Sequence, residues 1–132
     1  MPELVTRQTT AWGPVHDRIV AEYDVQFMAA TGIIHREQPP EALAKVREVA
    51  LSLDDFGLAG LAFGTALFGS AILAVALMRG WLTGEQAFEL SRVDETFQEE
   101  KWGIDAEAAE RTERLRGEAR MLERWFRGLG AA

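Results

Sequence analysis

With 132 residues, the chain has the length of one domain, long enough for one real core. It has no cysteine, which excludes disulfides and thiolate metal sites, and its two histidines, His16 and His35, stand at no metal-ligand spacing. A net charge of −7 excludes nucleic acid as a partner, because a polyanion needs a basic surface.

Gly13-Pro14 opens the first clear helix, with proline at the first position, where a missing N–H costs nothing. Val15, Ile19 and Tyr23 give it an apolar edge. From Asp24 the period changes: Val25, Phe27 and Ala29 alternate, Thr31-Gly32 reads as a turn, and Ile33-Ile34-His35 reads as a return strand. This predicts a short β-hairpin near residues 25–36. Pro39-Pro40 ends it, and a helix follows from Glu41 with Leu43, Val46, Ala50 and Leu53 on one stripe. Asp54 suits an N-cap for the next helix.

Phe56 to Met78 is a run of 23 residues without a charge. It is long enough to span a bilayer, and Gly60-x-x-x-Gly64 is the small-residue spacing of transmembrane dimers. Yet twelve of the 23 are Gly, Ala, Ser or Thr, which leaves a weak insertion signal. The other reading is a buried helix over about 55–79, the centre of a bundle, whose glycines mark where a neighbour approaches closely. Arg79-Gly80 closes it, with glycine able to take a left-handed cap.

Thr83-Gly84-Glu85-Gln86 is a capping box, so the next helix begins there and runs to Trp102-Gly103. At about 100° per residue, Ser91, Glu95, Gln98 and Trp102 share one stripe, opposite Leu90, Val93 and Phe97. A solvated face has no need of a tryptophan in line with a Glu and a Gln. Phe88 leans toward the same stripe, so two aromatics bracket the polar pair, as a recognition surface requires. The alternative is a helix buried on two sides, with Glu95 and Gln98 satisfied by neighbours.

Asp105 caps the last helix. There Ala108, Thr112, Leu115, Ala119, Leu122, Phe126 and Leu129 form a seam at spacings of four and three. Glu107/Arg111, Glu110/Arg114 and Glu123/Arg127 stand four apart in the favourable order. Residues 85–110 carry a net charge of −7 and residues 111–127 a net of +3, so the two helices could lie together, or the acidic one could face a basic partner.

No catalytic order emerges. Adjacent carboxylates such as Asp54-Asp55 or Asp94-Glu95 point about 100° apart on a helix and do not converge on one atom. No Ser/His/Asp pattern, phosphate loop or His-x-x-x-His is present. The chain reads as a non-enzyme without metal or cofactor.

The pattern Ser91-x-x-Asp94-Glu95-x-x-Gln98-x-x-x-Trp102-Gly103-x-Asp105-x-Glu107-Ala108 resembles the signature of the ATP-twelve family, assembly chaperones of the F-type ATP synthase. So, in the same order, do Pro2-x-Leu4-Val5-x-x-Gln8-x-x-x-Trp12-x-Pro14, Gly32-Ile33, Gln38-Pro39, Leu53-Asp54-x-Phe56-x-Leu58-Ala59 and Gly69-Ser70. The family usually has a smaller strand-rich domain upstream, so the resemblance implies that residues 1–132 are the C-terminal helical domain alone. It further implies a chaperone that holds the alpha subunit and shields its beta-facing surface until the alpha/beta pair forms. The partner-binding residues would be Glu95, Gln98, Trp102, Ser91 and Asp94, with Phe88 added by the geometry above. It would act without a cofactor and without membrane insertion, as a monomer. Its place would be the cytoplasm of a bacterium, or the mitochondrial matrix if the source is eukaryotic. The expected fold is mainly α, a multi-helix bundle around the apolar helix. Two rival readings are an integral membrane protein spanning 56–78 and an acidic helical adaptor for an unrelated basic partner.

Overall fold

In the computed structural model of the chain, residues 2–24 and 40–130 are described. The hairpin expected near residues 25–36 lies outside them. Among the described residues the regular elements are seven helices: α1 (Pro2–Tyr23), α2 (Pro40–Leu51), α3 (Asp55–Phe68), α4 (Ala71–Met78), α5 (Gly84–Ser91), α6 (Val93–Trp102) and α7 (Ala106–Leu129). The chain divides into two compact units, Met1–Asp54 and Asp55–Ala132.

In the first unit, α1 starts well before the expected Gly13-Pro14 and carries Pro14 in its interior. The buried residues Leu4, Val15 and Ile19 explain this, because they continue one helical stripe through the proline. Pro14 itself is exposed, where the carbonyl it deprives of a partner can meet water. On α2 the buried position is Ala42, while Leu43, expected on the apolar stripe, is 57% exposed.

The second unit is built on α4. Leu73 to Met78 are six consecutive buried residues, so this helix is apolar all round and covered all round. Helices α3, α5 and α7 pack against it, and α7 also lies on α3 and α5. The expected single helix over 55–79 is therefore corrected: the uncharged run folds as two helices that pack on each other. Gly69 breaks it with φ +66, and Ser70 caps α4 by accepting from the Leu73 amide at 3.2 Å. Left-handed glycine and serine N-cap are standard stop and start chemistry, hidden in the sequence by the apolar residues on both sides. Among the described residues, no helix is long and apolar enough to cross a membrane.

The glycines of α3 admit α7. A Cβ on Gly60 would stand 2.7 Å from the Phe126 ring, and one on Gly64 would stand 2.9 Å from Leu122. Both lie under the buried seam Ala119, Leu122 and Phe126 of α7. As expected, Gly80 closes α4 at φ +76.

Candidate functional site

The sequence stretch expected as one helix over 84–102 is two. Its start follows the expected capping box: Thr83 Oγ1 accepts from the Gln86 amide at 3.1 Å, and Gln86 Oε1 accepts from the Thr83 amide at 2.9 Å. Helix α5 is then clasped to α7 through Arg116. Its guanidinium bonds Glu85, reaches Glu89 at 2.5 Å, and lies 5.1 Å over the Phe88 ring. Arg120 adds a second contact to Glu85 at 3.1 Å.

Phe88 is thus part of the core, 2% exposed, with Arg116 and Arg92 stacked on its ring. It does not bracket the polar stripe as an accessible anchor, contrary to expectation. The cause is the turn at Arg92 (φ −112, ψ 14), which separates α5 from α6 and ends the continuous phase assumed from the sequence. Ser91 turns its hydroxyl onto the Phe88 carbonyl at 2.6 Å, serving this turn and not a common face with Glu95.

Beyond the turn, α6 is fixed from one side. Phe97 is buried at 3% exposure with Lys101 5.6 Å over its ring, and Arg92 reaches back to Glu99 at 2.5 Å. Opposite Phe97 the expected face stands clear. Asp94, Glu95 and Gln98 are exposed, and Trp102 is 83% exposed. The side chains of Glu95, Gln98 and Trp102 make no hydrogen bond or ion pair to another described residue. The structure therefore brings Glu95, Gln98 and Trp102 together on one helix face, places Asp94 at its edge, and removes Phe88 and Ser91. Ile104, just past Gly103, is 49% exposed.

The electrostatics follow from the same division. Both cations at hand, Arg92 and Lys101, stack on core aromatics, while Asp94, Glu95, Glu99 and Glu100 make the helix acidic. On α5, burial by itself would raise the Glu85 carboxyl, but Arg116 and Arg120 outweigh it and hold it below its ordinary 4.5. Hydrogen bonding to Glu89, opposed by burial and reinforced by Glu85, holds the Arg116 guanidinium above its usual range. Among the described residues, no group of three or more His, Cys, Asp or Glu could hold a metal ion.

A second exposed apolar group escaped the sequence reading. Trp125 of α7 donates its indole N–H to the Phe56 carbonyl at 3.0 Å, with the two rings 6.3 Å apart. Both are exposed, as are Phe63 and Met121. The available signal was Phe56 and Phe63 seven apart on α3, beside the glycine face that seats α7.

No protein-family model matches the chain. It is 25% identical to the mitochondrial protein atp12 of Schizosaccharomyces pombe over 111 residues, 82% of this chain and 38% of that protein. Among solved structures it is similar to Atp12 from Paracoccus denitrificans, with a TM-score of 0.88 and 36% identity over 96% of this chain and 55% of that one. It is also similar to a protein from Agrobacterium tumefaciens described as a candidate chaperone, with a TM-score of 0.82 and 38% identity over 96% of this chain and 47% of the other. The chain spans about half the length of these solved structures and less of the yeast protein.

Proposed function

We propose that this chain, which belongs to the Atp12 family, is a molecular chaperone of F-type ATP synthase assembly. On this reading it binds the free alpha subunit and shields its beta-facing surface until the alpha/beta pair forms. The observation that carries it is the match to Atp12 from Paracoccus denitrificans over 96% of the chain at 36% identity, well above a likeness of fold alone. The reading includes no catalytic step, no cofactor and no membrane insertion, and it has the chain act as a monomer. It operates in the bacterial cytoplasm, or in the mitochondrial matrix of a eukaryote.

The α6 face supports the reading physically. An assembly surface exposed on an isolated subunit is apolar with polar edges and prone to aggregate. A chaperone must cover it and still leave when the proper subunit arrives. One aromatic anchor beside a short polar stripe suits moderate, displaceable affinity better than a wide apolar interface would. The test is binding of the purified chain to free alpha subunit and, separately, to the assembled alpha/beta hexamer. Binding to free alpha alone is expected. Equal binding to both would place the contact elsewhere and overturn the exchange, and binding to neither would overturn the assignment of the partner.

A further inference from the structure

We infer that the Glu95–Gln98–Trp102 face of α6 is a seat for a basic, arginine-bearing segment of a folded protein. The inference names the chemistry of the partner surface and rests on the docking role proposed above. Two independent features carry it. The first is the exposed tryptophan. A side chain of this size left 83% open at a helix end, without a hydrogen-bond partner among the described residues, is an exposed aromatic platform. The second is a one-sided distribution of charge. Arg92 is drawn onto Phe88 and Glu99, and Lys101 lies over the Phe97 ring. Helix α6 carries the carboxylates of Asp94, Glu95, Glu99 and Glu100 against that one lysine, so the exposed stripe with Glu95 and Gln98 belongs to an acidic helix.

A guanidinium satisfies both ends. It stacks on a tryptophan face and donates in a planar fork to carboxylate and amide oxygens, which an ammonium does less well. Seven residues separate Glu95 from Trp102, or about 10 Å along the helix, too far for one side chain to serve both. The occupant therefore presents two groups, an arginine over Trp102 and a second cation against Glu95 and Gln98. On a partner helix laid alongside α6, these groups stand about seven residues apart.

The experiment follows the indole N–H resonance of Trp102, assigned by its loss in Trp102→Phe. The full chain is titrated with three helical peptides of one alanine-rich frame, carrying Arg, Lys or Glu at two positions seven apart. Saturable shifts are expected with the Arg peptide, weaker ones with Lys and none with Glu. Glu95→Gln, followed by the same resonance, and Trp102→Ala, followed by the backbone amide resonances of α6, should each weaken the Arg peptide by about tenfold, and raised salt should weaken it further. In parallel, free alpha subunit is bound to the same variants.

If alpha binds and both substitutions weaken it in a salt-dependent way, the inference holds. If alpha binds but neither substitution matters, the inference fails while the chaperone reading stands. If the Arg peptide is seated and alpha is not bound, the face is right and the partner wrong. If neither binds, both are overturned. A self-associated chain that reverts to monomer on Trp102→Ala would make a second copy the occupant, and this too would overturn the inference.

Discussion

Gly84 and Ala119 meet backbone to backbone, so closely that a Cβ on Gly84 would stand 2.9 Å from the Ala119 carbonyl carbon and nearer still to its oxygen. The amide of Gly84 meanwhile donates to Glu123 at 2.6 Å, so α7 supplies both the wall and the cap for the start of α5. A side-chain obstacle could rotate away, but a carbonyl inside a helix cannot.

Gly84→Ala should therefore lower unfolding stability by about 1–3 kcal/mol, the usual range for overpacking. Gly117→Ala is the control. Nothing lies within 4 Å of its added Cβ, it is exposed in the interior of α7, and alanine there should be neutral or stabilising by up to about 1 kcal/mol. Denaturant unfolding of both variants checks the contrast, and equal effects would mean that α5 does not lie this close to α7.

The Arg116 clasp predicts a pH dependence. Glu85 is held below its ordinary 4.5 in the fold, so its stabilising contribution is complete above the unfolded value and is lost as pH falls through the folded one. The melting temperature of wild type should exceed that of Glu85→Gln from pH 7 down to about 5, and the gap should close on further acidification. A gap that persists at pH 3 would show that packing, not charge, produces it.

Arg92 predicts a local effect. It joins α6 to α5 by stacking on Phe88 and bonding Glu99, and α6 packs chiefly through α5. Arg92→Ala should speed amide exchange across residues 93–102 while leaving the centre of α7 protected, at a global cost of about 1 kcal/mol for a partly exposed pair. Pairing Arg92→Glu with Glu99→Arg should recover part of the protection. If exchange in α6 is unchanged by Arg92→Ala, Phe97 alone holds the helix.

Local chemistry was the legible part of this chain. The capping box at Thr83 and Gln86, the Asp105 cap, which accepts from the Ala108 amide at 2.7 Å, and the left-handed Gly80 each involve residues within three or four positions. The Glu123–Arg127 pair also closes, at 2.6 Å. What failed was phase over longer distances. Gly69-Ser70 carried a stop and a start, but uninterrupted apolar character outweighed them. Arg92 carried no glycine or proline to mark a turn, so one helical phase was run through it, and Phe88 was placed on the wrong side. Within α6, where the phase is unbroken, Glu95, Gln98 and Trp102 fall on one face as the spacing required.

The last prediction concerns Glu95→Lys. Glu95 lies in the first turn of α6, exposed and with its side chain making no hydrogen bond or ion pair to another described residue, on the side away from buried Phe97. Substitution should cost little in the fold. Surface changes of this kind shift stability by about half a kcal/mol, and exchanging an acid for a base near a helix N-terminus adds about 0.3–1 kcal/mol. If Glu95 meets a basic group of the alpha subunit, the reversed charge turns attraction into repulsion. Disrupting a desolvated charge contact costs about 2–5 kcal/mol, so affinity should fall by well over tenfold. Both quantities are to be measured on the same protein, by thermal melting and by binding to free alpha subunit. A sharply lowered melting temperature would make Glu95 an internal anchor, and any loss of binding would then follow from the damaged fold. Normal melting with normal binding would remove it from the interface. Near-normal melting with lost binding is the expected result, because the carboxylate has no side-chain partner within the described fold and the proposed contact with alpha needs its negative charge.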